Sequence, residues 1–222
     1  MTPMPFAVVL AVLVLAIAVL GGLYWIAVGS KDRPAKKKEN GEQRKDRNTV
    51  LKEANKQLAS NPRDHKALKQ IADLYYEEQT WDKAMKTYGI LMNLAASNSE
   101  VDECFVTTRY GLSALQLKQY EEAYKSLMVA RTIDEQSFEV NYNLGYLEYR
   151  RGNLERAVQL LKAAQEVQPD HVPVRRYLGR TLYKLQRYKD AVRYLRQVVD
   201  LAPEDKESLF FLAQSYHELG QN

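Results

Sequence analysis

Hydrophobic and polar positions divide the chain into three regimes. From Phe6 to Val28, "FAVVLAVLVLAIAVLGGLYWIAV", all 23 positions are uncharged. From Gly29 to Asn48 the sequence turns to Lys, Arg, Glu and Asp. From Thr49 onward, apolar residues recur at three- and four-residue spacing, as on helices that each bury one stripe. The first regime predicts a spanning helix. At about 1.5 Å per residue it reaches about 34 Å, enough to cross a hydrocarbon core of about 30 Å. Tyr24 and Trp25 fall near its end, where amphipathic rings favour the membrane interface. A cleaved signal peptide, with Ala27-Val28-Gly29 as its small-x-small site, is the weaker reading. The apolar run exceeds the usual ~7–15 residues, and no Lys or Arg precedes it.

The third regime repeats. "NLGYLEYRRGNLERAVQLLKAAQEVQP" and "YLGRTLYKLQRYKDAVRYLRQVVDLAP" align without gaps at an offset of 34 residues. Leu144-Gly145 matches Leu178-Gly179, Ala157 matches Ala191, Leu161 matches Leu195 and Pro169 matches Pro203. Tyr110-Gly111, Tyr120, Ala123, Leu127 and Ala130 keep the register one step earlier, and Leu212-Ala213, Tyr216 and Gly220 one step later. Each unit reads as two antiparallel helices. Small residues stand where the helices cross, and prolines stop the second helices.

These residues resemble the tetratricopeptide repeat, whose pattern is L-G-x2-Y, then A-x3-F, then P. The pattern is followed loosely: Ala114 and Glu148 stand at the usual Tyr position, and Ala96 and Glu135 replace the closing Pro. The resemblance implies an all-α solenoid of helical hairpins winding as a right-handed superhelix, here preceded by one transmembrane helix. The expected organisation is an N-terminal segment 1–28 containing the span 6–28, a basic linker 29–48 and a repeat domain 49–222. The domain divides into a half-repeat 49–62, full repeats 65–98, 104–137, 138–171 and 172–205, and an unfinished repeat 206–222. Ser99–Glu103 is a five-residue insertion. Pro34 and Gly41 are expected to interrupt any helix through the linker.

Charge refines this outline. The net charge is +4, but eight basic and four acidic residues lie between Met1 and Arg47, leaving 24 of each in the rest. The repeat domain is thus neutral, unlike a nucleic-acid-binding fold with a basic face. Lys36–Lys38 and their neighbours follow the apolar run. The positive-inside rule then gives a single-pass inner-membrane protein with its repeats in the cytoplasm; a periplasmic domain is the alternative. Cys104 is the one cysteine, and His65, His171 and His217 have no metal-ligand spacing. No catalytic motif is present, so no enzymatic activity and no cofactor or metal is expected.

In tetratricopeptide arrays the first helix of each repeat lines an inner groove. Carried over, the resemblance places Tyr142, Asn143, Tyr146 and Tyr149 there from the third repeat, with Glu139 and Arg150. It adds Arg176, Tyr177, Arg180, Tyr183 and Lys184 from the fourth, and Arg109 and Leu112 from the second. Asn143 stands where family members bond an extended ligand's backbone. Arg176, Arg180 and Lys184 form a basic ridge suited to acidic segments. Thr108 and Leu112 stand where the carboxylate clamp of chaperone-binding members has Lys and Asn, so that clamp is not reproduced. The expected function is a membrane-tethered scaffold that recruits or assembles protein or peptide partners at a bacterial inner membrane. Alternatives are the regulatory region of a longer protein, a periplasmic collar component of an envelope machine such as a flagellar motor, and a chaperone-like binder. Residues 206–222 present Leu209, Phe210 and Phe211 for self-association or for a longer parent chain.

Overall fold

The computed structural model describes residues 33–220, with side chains from Arg47 onward. These residues form ten helices and no strand. The chain divides into compact units at Glu53/Ala54. Helix α1, Arg33–Ser60, starts in the first unit. Pro34 and Gly41 do not interrupt it. Pro34 sits in the first turn, where the missing N–H has no intrahelical acceptor to lose, and a mid-helix glycine costs only about 1 kcal/mol. None of the described helices is long and apolar enough to cross a membrane, and the apolar run Phe6–Val28 lies outside the described residues.

The second unit is a run of helical hairpins. Helices α2 (His65–Glu77) and α3 (Trp81–Ala95) form the first, and α4 (Glu103–Gln116) and α5 (Tyr120–Ile133) the second. They are followed by α6 (Phe138–Arg151) with α7 (Leu154–Val167), then α8 (Val172–Lys184) with α9 (Tyr188–Leu201), and finally α10 (Lys206–Glu218). The core lies between them in three clusters, and equivalent positions are buried in each hairpin. Ala84, Ala123, Ala157 and Ala191 are all fully buried, as are Leu127, Leu161 and Leu195 beside them.

Local chemistry repeats as faithfully as the core. Every first helix is capped by a side chain: Asp64, Asp102, Ser137, His171 and Asp205 each accept at least one backbone N–H from the opening turn. The second helices have no such cap, being held by the hairpin turn instead. That turn places one residue in the left-handed region each time: Gln79, Lys118, Gly152 and Gln186, with Gly220 next in register. A Cβ there costs about 1 kcal/mol. Lys118→Gly and Gln186→Gly are therefore expected to raise stability by roughly 0.5–1 kcal/mol each, and Gly152→Ala to lower it, in urea titrations.

Two hairpin joints depart from the closing proline. After α5, Asp134 turns extended and its carboxylate accepts the Gln136 N–H at 3.0 Å, stopping the helix without Pro. After α3, the inserted loop folds back. Asn98 accepts the Glu100 N–H, and Val101 is buried against the Leu68–Tyr88 cluster. Cys104 is half-buried, with its Sγ 3.8 Å from the Ala130 carbonyl.

Candidate binding surface

Aromatic residues of successive first helices meet one another along the array. Tyr177 of α8 meets three tyrosines of α6, at centroid distances of 6.2 Å to Tyr142, 5.2 Å to Tyr146 and 5.7 Å to Tyr149. Phe138 stacks on Tyr142 at 6.0 Å. His171 stands edge-on to both, at 4.8 and 5.4 Å. Farther along, Tyr183 packs edge-on to Phe211 of α10 at 5.2 Å. Burial holds Tyr142 protonated, pushing its pKa up to about 12, with Tyr177 nearby adding to the shift and Arg176 opposing it. Tyr177 is raised for the same first reason.

Not all of the expected groove residues are equally open. Tyr142, Asn143, Tyr146 and Tyr177 are half-buried and face a common cavity, whereas Tyr149 is 8% exposed. Lys184 Nζ stands 4.2 Å from the Tyr149 ring centroid, and the Tyr149 hydroxyl accepts from Arg180 at 3.3 Å. Asn143 donates one side-chain N–H to the Glu139 backbone carbonyl at 2.7 Å, which leaves its second N–H and its carbonyl oxygen for a ligand. Leu112, placed in the groove by its repeat position, is 5% exposed and belongs to the core.

The basic ridge is matched from within. Arg176 pairs with Asp205 at 2.5 Å and Arg180 with Glu207 at 2.6 Å. Burial alone would raise the Asp205 carboxyl, but the Ser208 N–H and hydroxyl and the Arg176 guanidinium outweigh it and hold it below the ordinary value. Arg180 also lies over the rings of Tyr149, Tyr177 and Phe211. Arg109 sits 4.4 Å above Tyr76 and 3.8 Å from Glu139. These guanidiniums brace neighbouring helices.

Sequence reasoning missed Tyr120 and Lys118, which border the same cavity from the α4–α5 turn. The signal was available in part: Tyr120 is an aromatic opening a second helix, and Arg150 lies 3.9 Å over its ring. His171, which has no metal-ligand spacing in the sequence, takes a structural role. It caps α8 through Nδ1, which accepts the Val174 N–H at 3.4 Å, and burial lowers its pKa. Only the neutral ring can accept that bond. A base whose folded pKa lies below its unfolded one contributes stability at pH above the unfolded value, about 6.5, and loses it as pH falls below that. Thermal melts are expected to drop between pH 7.5 and 5.5, and His171→Asn, which keeps a capping acceptor, to flatten that slope.

A family model for the tetratricopeptide repeat matches residues 136–204. Solved structures agree on the fold of the array. The crystal structure of MamA protein superposes with a TM-score of 0.61 at 16% identity, covering 71% of this chain and 83% of that one. YrrB, described as a TPR protein with an unusual peptide-binding site, superposes at 0.62 with 19% identity over 75% and 84%. The peroxisomal targeting signal receptor of Eremothecium gossypii is 29% identical over 112 residues, half of this chain. The matched region spans 19% of that receptor's length.

Proposed function

We propose that the chain is a membrane-tethered scaffold whose tetratricopeptide array recruits a protein or peptide segment at a bacterial inner membrane. The observation that carries the binding part is the cavity bordered by Tyr142, Asn143, Tyr146 and Tyr177. Tyrosines give large contact area with few rotors to freeze, which is how adaptable paratopes bind. The peptide-binding site attributed to YrrB, on a similar fold, supports the same reading. A photoreactive residue at position 146 tests it in cells. One dominant adduct, reduced at least fivefold by Tyr177→Ala, is expected; adducts indifferent to Tyr177 would remove the groove from the function.

Tethering rests on the apolar run 6–28 and on the basic residues after it, which favour a cytoplasmic array. Protease added outside intact spheroplasts is expected to spare the array, and digestion would place it in the periplasm. An acidic partner has less support than the ridge alone suggested, since Asp205 and Glu207 already occupy Arg176 and Arg180. Self-association through residues 206–222 is a second reading, favoured by the exposure of Leu209 at 40% and Phe210 at 57%. Phe210→Glu would then convert a dimer to a monomer in sedimentation.

A further inference from the structure

We infer that the cavity between α2 and α4 takes a lysine or arginine side chain of the bound segment; this rests on the peptide-groove reading above. The cavity has a volume of about 490 Å³ and is bordered by α2, the turn after it, the first half of α3 and the first half of α4. Tyr76, Trp81 and Phe105 supply ring walls, and Asp73, Glu77 and Arg109 supply charge. One ion pair links it to the tyrosine cavity: Arg109 meets Glu139, whose backbone carbonyl holds the Asn143 amide.

Charge selects the occupant. The Asp73 carboxylate accepts the Tyr88 hydroxyl at 2.6 Å and pairs with Lys69 at 2.5 Å. Arg109 stands 3.8 Å from Glu139, so its charge is answered too. Glu77 is exposed and, among the described residues, has no ion-pair partner. It follows Asp73 by one helical turn, which puts both carboxylates on the same face of α2. Whether the lining groups are counted alone or together with Lys69 and Glu139, a single anion is left over. The Gln79 amide, which also lines the cavity, offers both donors and an acceptor and does not discriminate.

The rings point to the same occupant. Cations already lie over two of them: Arg109 over Tyr76 at 4.4 Å and over Phe105 at 5.3 Å, and Lys69 over Phe105 at 4.6 Å. Trp81, whose indole attracts cations best, has none over it among the described residues. It is half-buried, with Tyr76 edge-on to it at 5.1 Å. An incoming lysine or arginine can lay its methylene stem along the indole and meet Glu77 in the same cavity. An acidic side chain would face Glu77 with no free cation to offset it, and a neutral one would leave that carboxylate unanswered. The groove also changes sign along its length. The positions of Asp73 and Glu77 recur as Leu112 and Gln116, then Tyr146 and Arg150, then Arg180 and Lys184. Only the first pair is acidic, which directs a cationic residue to this end.

The test uses the full chain in nanodiscs of neutral phosphatidylcholine. The probe is a displayed library of random peptides, with empty discs for subtraction, and the best binders are labelled and read by fluorescence anisotropy. Selected peptides are expected to share a Lys or Arg whose replacement by Gln weakens binding about tenfold. Glu77→Gln, an exposed change with little effect on folding, should cut that preference about fivefold. Trp81→Leu should cut it by a similar factor, with melting curves confirming that the variant remains folded. Selected peptides that share no cation, yet lose binding in Tyr177→Ala, would overturn the cation site and leave the groove standing. A cation preference that survives both Glu77→Gln and Trp81→Leu would overturn this cavity as its origin. If no peptide is selected, the inference fails, and crosslinking from position 146 decides separately whether the groove reading survives.

Discussion

Glu148→Ala is expected to destabilise the protein by about 3 kcal/mol, a large fraction of the stability of an ordinary domain. Glu148 stands where the repeat pattern has tyrosine, and its carboxylate is fully buried. It is also fully engaged. The Tyr124 hydroxyl donates to Oε1 at 2.8 Å, the Asn153 amide to Oε2 at 2.7 Å, and Arg156 Nε lies 3.0 Å from Oε1. Truncation leaves a cavity and two donors without their acceptor, each of the latter costing about 1 kcal/mol or more. Arg156 contributes less to the loss, because its side chain is 46% exposed and can turn to water. Removing Arg156 instead strands a buried anion with only neutral donors, so Arg156→Met should cost about 2 kcal/mol or more despite that exposure. Glu148→Gln preserves an acceptor for one donor and should cost less than Glu148→Ala. Urea unfolding of the four proteins orders them. An Ala variant as stable as the parent would mean that the carboxylate merely fills a tyrosine-shaped space.

The array was legible in the sequence because its constraints are steric and recur. Two helices can cross closely only over small residues, so Gly145, Gly179, Ala157 and Ala191 announce the register wherever they stand. Turn chemistry was less visible. Gln79, Lys118 and Gln186 take a left-handed conformation that nothing in their identity signals, and only Gly152 reads as a turn residue. Pro34 was taken as a breaker because its place in the first turn of α1 depends on where that helix begins, which periodicity alone does not give. The aromatic surface was half legible. Repeat position identified Tyr142, Tyr146 and Tyr177, but its electrostatics depend on pairs that join one hairpin to the next. Arg176 and Arg180 look like a basic ridge until Asp205 and Glu207 are placed against them. Glu148, a plain departure from the repeat pattern, proves to be the best-satisfied polar group in the core, and pattern matching cannot distinguish that from drift.

Gly179→Ala is expected to cost about 2 kcal/mol, although alanine favours a helix over glycine by about 1 kcal/mol. A Cβ at position 179 would stand 2.6 Å from Leu195 Cγ and 3.4 Å from the Leu195 backbone nitrogen. The clash is with the branch point of a fully buried side chain, so Leu195 cannot swing its tip aside; either its rotamer or the spacing of α8 and α9 must change. Gly145 meets Leu161 in the same way at 2.7 Å, and Gly111 meets Leu127 at 3.0 Å. The expected order of cost is therefore Gly179 and Gly145 first, then Gly111, where a shift of a few tenths of an ångström suffices. A double-mutant cycle separates crowding from an effect on the helix alone. Leu195→Ala opens a cavity and should cost about 3 kcal/mol, but in the double variant the added methyl occupies part of that cavity. The pair should then lose at least 1 kcal/mol less than the sum of the singles. Strict additivity would show that the two side chains do not compete for space and that the glycine serves the backbone of α8 rather than the crossing.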